Sequence, residues 1–147
     1  MLPRILIVDD ESSICISLSL ALEPEYEVVW ETDPIRALER LQTEPIDLVL
    51  LDMVMPELDG LQVLEEMNKR GFIEDIPVIM ISSEDSDATI RRSYELGASD
   101  YVNRPFDARI VYRRVTNTIK LYAKQRRLVQ MVSEQIRARE NNTDMLV

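Results

Sequence analysis

The chain contains no histidine and only one cysteine, Cys15, in 147 residues. Without histidine there is no Ser-His-Asp or Cys-His catalysis and no His-ligated zinc or iron site. A lone thiol forms neither an internal disulfide nor a thiolate cluster. Cys15 lies in an apolar helical stretch, where a free cysteine behaves as a small buried hydrophobe rather than a reactive group. What remains is carboxylate, hydroxyl, amine and guanidinium chemistry. No uncharged apolar run approaches the roughly 18 residues needed to span a bilayer. The longest uncharged run, Ser12–Leu22, is interrupted by serines. Met1-Leu2-Pro3-Arg4 enters a strand directly and has no signal-peptide pattern, so a cytoplasmic address is expected.

Charge is unevenly spread. Residues 1–106 carry 8 Lys and Arg against 23 Asp and Glu, a net of −15, whereas residues 107–147 carry 9 against 4, a net of +5. The acidic body argues against nucleic acid as its partner. The length and the 46% apolar content suit one domain with a real core and a modest extension.

Strand and helix patterns alternate, which argues for an α/β domain. Strands are expected at Arg4–Val8, about Tyr26–Trp30, Leu48–Leu51, Val78–Ile81 and Asp100–Asn103. The first helix is expected over about Ser12–Leu22, capped by Asp10 or Ser12. The second follows a cap at Thr32 or Asp33, with Pro34 in its first turn. The third runs from about Gly60 to Arg70 and stops at Gly71. The fourth covers about Asp85–Leu96 and stops at Gly97. The last starts at Asp107 and meets no Gly or Pro, so it extends to about Glu140.

Three aspartates carry the chemistry. Asp9 and Asp10 follow the apolar run Ile5–Val8, and Asp52 follows the run Leu48–Leu51. Ligands of open parallel sheets collect beyond the carboxyl ends of the strands. Neighbouring strands lie about 4.8 Å apart, so acids leaving adjacent strand ends share one small pocket. Carboxylates that close repel one another unless a cation sits between them. A hard, oxygen-seeking ion such as Mg²⁺ resolves the repulsion and leaves positions for a phosphate. The plainer alternative, acids that cap helices at βα turns, accounts for any one of the three but poorly for all of them together.

The segments ILIVDDE, LDMVMPELDG, PVIMISS and DYVNRPF, in that order and each at a strand end, resemble the receiver domain of bacterial two-component response regulators over about residues 3–122. The resemblance implies a doubly wound, five-stranded parallel sheet in the order 2-1-3-4-5, flanked by five helices. It also implies that Asp52 accepts a phosphoryl group from a histidine kinase. Asp9, Asp10, Asp52 and the backbone carbonyl of Val54 would hold Mg²⁺, and Ser82 and Tyr101 would relay the switch through the face of helices four and five. Arg104–Pro105 would be a cis peptide. Pro56 and Gly60 fit the loop after the acceptor. Val54 and Glu84 match the two positions that tune dephosphorylation, and their effects oppose each other.

Position 104 departs from the family, which places lysine before the Pro-Phe pair. Arginine is longer, planar and bidentate. Arg104 either neutralises the phosphoryl group or forks onto Asp52 beforehand and hinders the transfer. Two further readings therefore stand beside the phosphorylated switch. One is a receiver that works as a protein-binding module without phosphorylation. The other is a carboxylate-nucleophile phosphatase. That class needs a second acid two residues after the nucleophile, where this chain has Val54. The chain itself is thus not expected to be an enzyme in the ordinary sense.

In the last helix, Val115, Tyr122, Val129 and Ile136 recur every seven residues, as do Val111, Thr118, Gln125 and Val132. Up to about Leu121 this is a core helix. Beyond it, residues 123–147 read as a helical linker that pairs with a second copy. Asn141–Asp144 reads as the cap of another helix, opening an output domain that lies outside this chain. LYAKQRRL and MVSEQI faintly resemble linkers that precede HD-type cyclic di-GMP phosphodiesterase or diguanylate cyclase domains. The basic residues of this helix read as a solvated face rather than a nucleic-acid contact.

Overall fold

The computed structural model describes residues 2–55, 58–83 and 86–145, with side chains described through residue 141. Pro56, Glu84, Asp85, Leu146 and Val147 fall outside the described residues. Strands β1 (Arg4–Val8), β2 (Glu27–Glu31), β3 (Leu48–Asp52), β4 (Val78–Ser82) and β5 (Asp100–Asn103) alternate with helices α1 (Ser12–Leu22), α2 (Pro34–Thr43), α3 (Gly60–Lys69), α4 (Asp87–Glu95) and α5 (Ala108–Met145). All strand pairs are parallel, in the order β2-β1-β3-β4-β5. This is the doubly wound α/β sheet that the sequence implied.

Side chains alternate across each strand, so every strand feeds both faces. Leu6, Val8, Val49, Leu51, Val78, Met80 and Tyr101 pack against Ala37, Leu41, Val63, Leu64 and Met67 from α2 and α3, with Leu96 closing the cluster just after α4. Ile5, Ile7, Leu48, Leu50, Ile79, Ile81 and Val102 pack against Cys15, Leu18 and Leu22 of α1 and Val111 and Val115 of α5. Burial on both faces is why the central strands are unbroken apolar runs rather than alternating ones. The edge strand β2 is only half covered, and it begins one residue later than its composition suggested.

Helix ends follow from local chemistry. The Asp33 side chain accepts from the Ile35 N–H at the start of α2, with Pro34 just inside. Asp59 and Gln62 form a reciprocal capping box at α3. Ser86 caps α4. Gly71 and Gly97, with φ of 79° and 109°, end α3 and α4 in the left-handed region, where glycine is unstrained. The expected side-chain cap of α1 by Asp10 or Ser12 is not formed. Glu11 holds the capping position without a side-chain hydrogen bond, and the Asp9 carboxylate takes the Glu11 N–H at 2.9 Å.

Helix α5 is 38 residues long, roughly 57 Å at the α-helical rise. Val111 and Val115 are fully buried, and Tyr122 is the last half-buried residue among those described, its hydroxyl 3.0 Å from Ser99 Oγ. From residue 123 to 141 every side chain is exposed. The helix runs unbroken through residues 141–145, so Asn141–Asp144 does not cap a new helix. An Asn or Asp inside a formed helix costs only a fraction of a kcal/mol, about 0.7 at most, too little to stop it. Among the described residues, no helix is long and apolar enough to cross a membrane.

Candidate functional site

The pocket lies at the carboxyl ends of β1 and β3. These strands are neighbours, with Val8 opposite Leu51, so Asp9 and Asp10 leave one strand end where Asp52 ends the other. Carboxylate oxygens of the three lie within 4.8 Å of one another. Asp9 and Asp52 are buried, 3% and 6% exposed, while Asp10 faces solvent. Gly60 brings α3 up to the pocket floor: its N–H donates to the Met53 carbonyl at 2.8 Å. A Cβ there would lie 2.3 Å from the Asp52 carbonyl oxygen and 2.8 Å from Met53 Cα. Only glycine allows this approach.

Arg104, after β5, is the cation of the pocket. Its backbone N–H donates to the Ser82 carbonyl at 2.8 Å, which ties the end of β5 to the end of β4. Its Nη2 lies 2.5 Å from Asp9 Oδ2 and 3.2 Å from Asp52 Oδ1. The expected two-nitrogen fork onto Asp52 is therefore replaced by one nitrogen shared between two acids, with the shorter link to Asp9. Arg104 Nε is buried with no hydrogen-bond partner among the described residues. The peptide bond between Arg104 and Pro105 is cis.

Burial raises the Asp52 carboxyl to about 7, reinforced by the charge of Asp9 and opposed by Arg104 and the Val54 N–H. Burial also raises Asp9, against the Glu11 N–H and the Arg104 charge. The nearby Cys15 thiol, 3.6 Å from the Asp9 carbonyl, is pushed up to about 12, mainly by burial and then by Asp9. It is neither an anionic ligand nor a nucleophile at neutral pH. An all-oxygen donor set with one exposed carboxylate fits a hard cation that keeps part of its water.

Ser82 ends β4 and is 1% exposed; its neighbour Ile81 pairs with Asp52. Tyr101 is 8% exposed, pairs with Met80, and packs in the cluster beneath α2 and α3. Val54 sits at the rim, 59% exposed. A groove lined by Pro3, Arg4, Asp47, Ile119, Tyr122 and Arg126 lies at the opposite end of the sheet and belongs to none of this chemistry.

A family model described as the response regulator receiver domain matches residues 5–116. The chain is 37% identical over 113 residues to the alkaline phosphatase synthesis transcriptional regulatory protein PhoP of Bacillus subtilis strain 168, covering 76% of this chain and 46% of that protein. It is 35% identical over 120 residues to response regulator RR06 of Streptococcus pneumoniae serotype 2 strain D39, covering 81% and 54%. It thus spans about half the length of these curated relatives. A CheY-like response regulator receiver domain protein from Methanospirillum hungatei JF-1 superposes with a TM-score of 0.79 at 28% identity, over 85% of this chain and 99% of that one. The sheet order, the acids at adjacent strand ends and the family match agree: this chain belongs to the response regulator receiver domain family.

Proposed function

We propose that Asp52 accepts a phosphoryl group from the phosphohistidine of a histidine kinase. The observation that carries this reading is a buried carboxylate at a strand end, with two further acids within 4.8 Å and a guanidinium nitrogen at 3.2 Å. An Asp52 oxygen attacks phosphorus in line. The bond between phosphorus and the kinase histidine nitrogen breaks, its electron pair stays on that nitrogen, and an acyl phosphate forms on Asp52. Asp9, Asp10, Asp52 and the Val54 carbonyl would hold Mg²⁺, which would supply charge neutralisation when bound. Arg104 neutralises the transferred group. Ser82 hydrogen-bonds the phosphoryl oxygens, and the Tyr101 ring, already packed inward at 8% exposure, is held there, which changes the face made by α4 and α5. Val54 offers no side-chain hydrogen bond to an attacking water, while Glu84 is able to offer one.

Residues 1–122 form the receiver, and residues 123–147 form a helical linker to an output domain that the switch controls. Val129, Val132 and Ile136, which are 67%, 55% and 51% exposed, pair with a second copy. The setting is the cytoplasm, where the kinase presents its phosphohistidine.

A second reading follows from Arg104. Its hold on Asp9 and Asp52 supports a receiver that binds partners without phosphorylation. Beryllofluoride separates the two. A phosphoacceptor site forms a Mg²⁺-dependent complex that shifts the amide resonances of Asp52, Ser82 and Tyr101. A module that works without phosphorylation shows no such complex.

A further inference from the structure

We propose that Arg104 is a resident counter-cation of the acidic pocket and that a divalent ion must displace it from Asp9 before the pocket is loaded. This deepens the reading of Asp9, Asp10 and Asp52 as the metal site and rests on it. One nitrogen, Nη2, stands 2.5 Å from Asp9 Oδ2 and 3.2 Å from Asp52 Oδ1, so it already bridges two of the three acids that would hold the ion. The other Asp9 oxygen, Oδ1, already accepts the Glu11 N–H at 2.9 Å. Both oxygens of the most buried acid are therefore engaged, and Asp10 alone of the three is open to solvent.

The hold on Arg104 is one-sided. Its side chain is 19% exposed and is bound through Nη2, while Nε is buried without a partner among the described residues. A buried N–H with no acceptor is unfavourable. Leaving the pocket would restore water to Nε, so the guanidinium is held there by the two carboxylates rather than by a cradle of its own. Two cations on one carboxylate oxygen repel each other. Arginine and metal therefore exclude each other at Asp9. The apparent metal affinity is the intrinsic affinity scaled by the fraction of molecules in which Arg104 has moved away. The pocket is thereby neutralised at rest, and its loading becomes a competition between a side chain and the free ion.

The test is Mn²⁺ binding by water-proton relaxation and Mg²⁺ binding by calorimetry, at one fixed pH, in the wild type, Arg104→Gln, Arg104→Ala and Asp10→Asn. The expected result is metal bound about tenfold tighter in both arginine variants and much weaker in Asp10→Asn. Should the arginine variants fail to fold, the wild type still reports. Saturating Mg²⁺ should move the ¹⁵N-labelled Arg104 Nε–H from slow to fast exchange with solvent. Equal or weaker affinity in folded arginine variants, or an Nε–H unchanged in metal-saturated wild type, overturns the displacement while leaving the pocket a metal site. Absence of binding in every protein, the wild type included, overturns the site reading and the displacement with it.

Discussion

Asp52 is buried beside Asp9 with one shared guanidinium nitrogen to offset two acids, and its carboxyl is raised to about 7. The sign of the stability effect follows by linkage. A carboxyl raised in the folded state favours folding fully below its unfolded value of about 3.9, and that contribution is lost as pH rises to the folded value. In the absence of metal the wild type should therefore lose stability through this group between about pH 4 and pH 7. Asp52→Asn removes the titration, so its advantage in melting temperature over wild type should be larger at pH 8 than at pH 5. An advantage that does not grow with pH would show that burial does not hold Asp52 as described. Gly60 makes a second residue-scale case. Alanine in a helix interior is ordinarily better than glycine by up to about 1 kcal/mol, but here its Cβ would meet the Asp52 carbonyl at 2.3 Å. Backbone on both sides cannot yield cheaply, so Gly60→Ala should destabilise by about 1–3 kcal/mol in denaturant unfolding. A neutral or stabilising outcome would contradict the close packing of α3 on the pocket floor.

At the scale of elements, α5 does two jobs in sequence. Its first part completes the core through Val111, Val115 and Ile119, and Tyr122 makes the last link to the body through Ser99. From residue 123 to 141 every side chain is exposed and none is part of the core. A chain truncated after Lys124 should keep the melting temperature of the full chain within a few degrees, measured by circular dichroism at one protein concentration. If Val129, Val132 and Ile136 pair with a second copy, the full chain should sediment as a dimer at micromolar concentration and the truncated one as a monomer. Identical sedimentation of both would remove the pairing. The extension was legible because nothing between Asp107 and Glu140 stops a helix, and its end ran further because Asn141 and its polar neighbours lack a glycine or proline to break it. The central strands were legible for the opposite reason, apolar on both faces and bounded by turn residues. The half-exposed β2 carried a weaker signal, and its boundary shifted by one residue.

For the whole molecule, the sheet order places β1 beside β3, and that adjacency turns two separate runs of acids into one pocket. The three aspartates could be read from sequence because a parallel sheet gathers strand ends at one edge. What the sequence could not give was how the charges pair. Which carboxylate Arg104 reaches first depends on where the β5 end sits over β4, fixed by the bond from Arg104 N–H to the Ser82 carbonyl. Nor could spacing reveal that Asp9 would spend one oxygen on the Glu11 N–H instead of leaving the start of α1 to a side-chain cap. The fold and the family are secure on geometry and similarity, so the claim most in need of a measurement is the acceptor itself. Incubation with Mg²⁺ and acetyl phosphate, followed by intact-mass spectrometry, tests it directly. The expected result is a single added phosphoryl group on the wild type, absent without Mg²⁺, labile in mild base as an acyl phosphate, and absent from Asp52→Asn. A wild type that stays unmodified under these conditions, or an Asp52→Asn variant modified to the same extent, would contradict the assignment of Asp52 as phosphoacceptor.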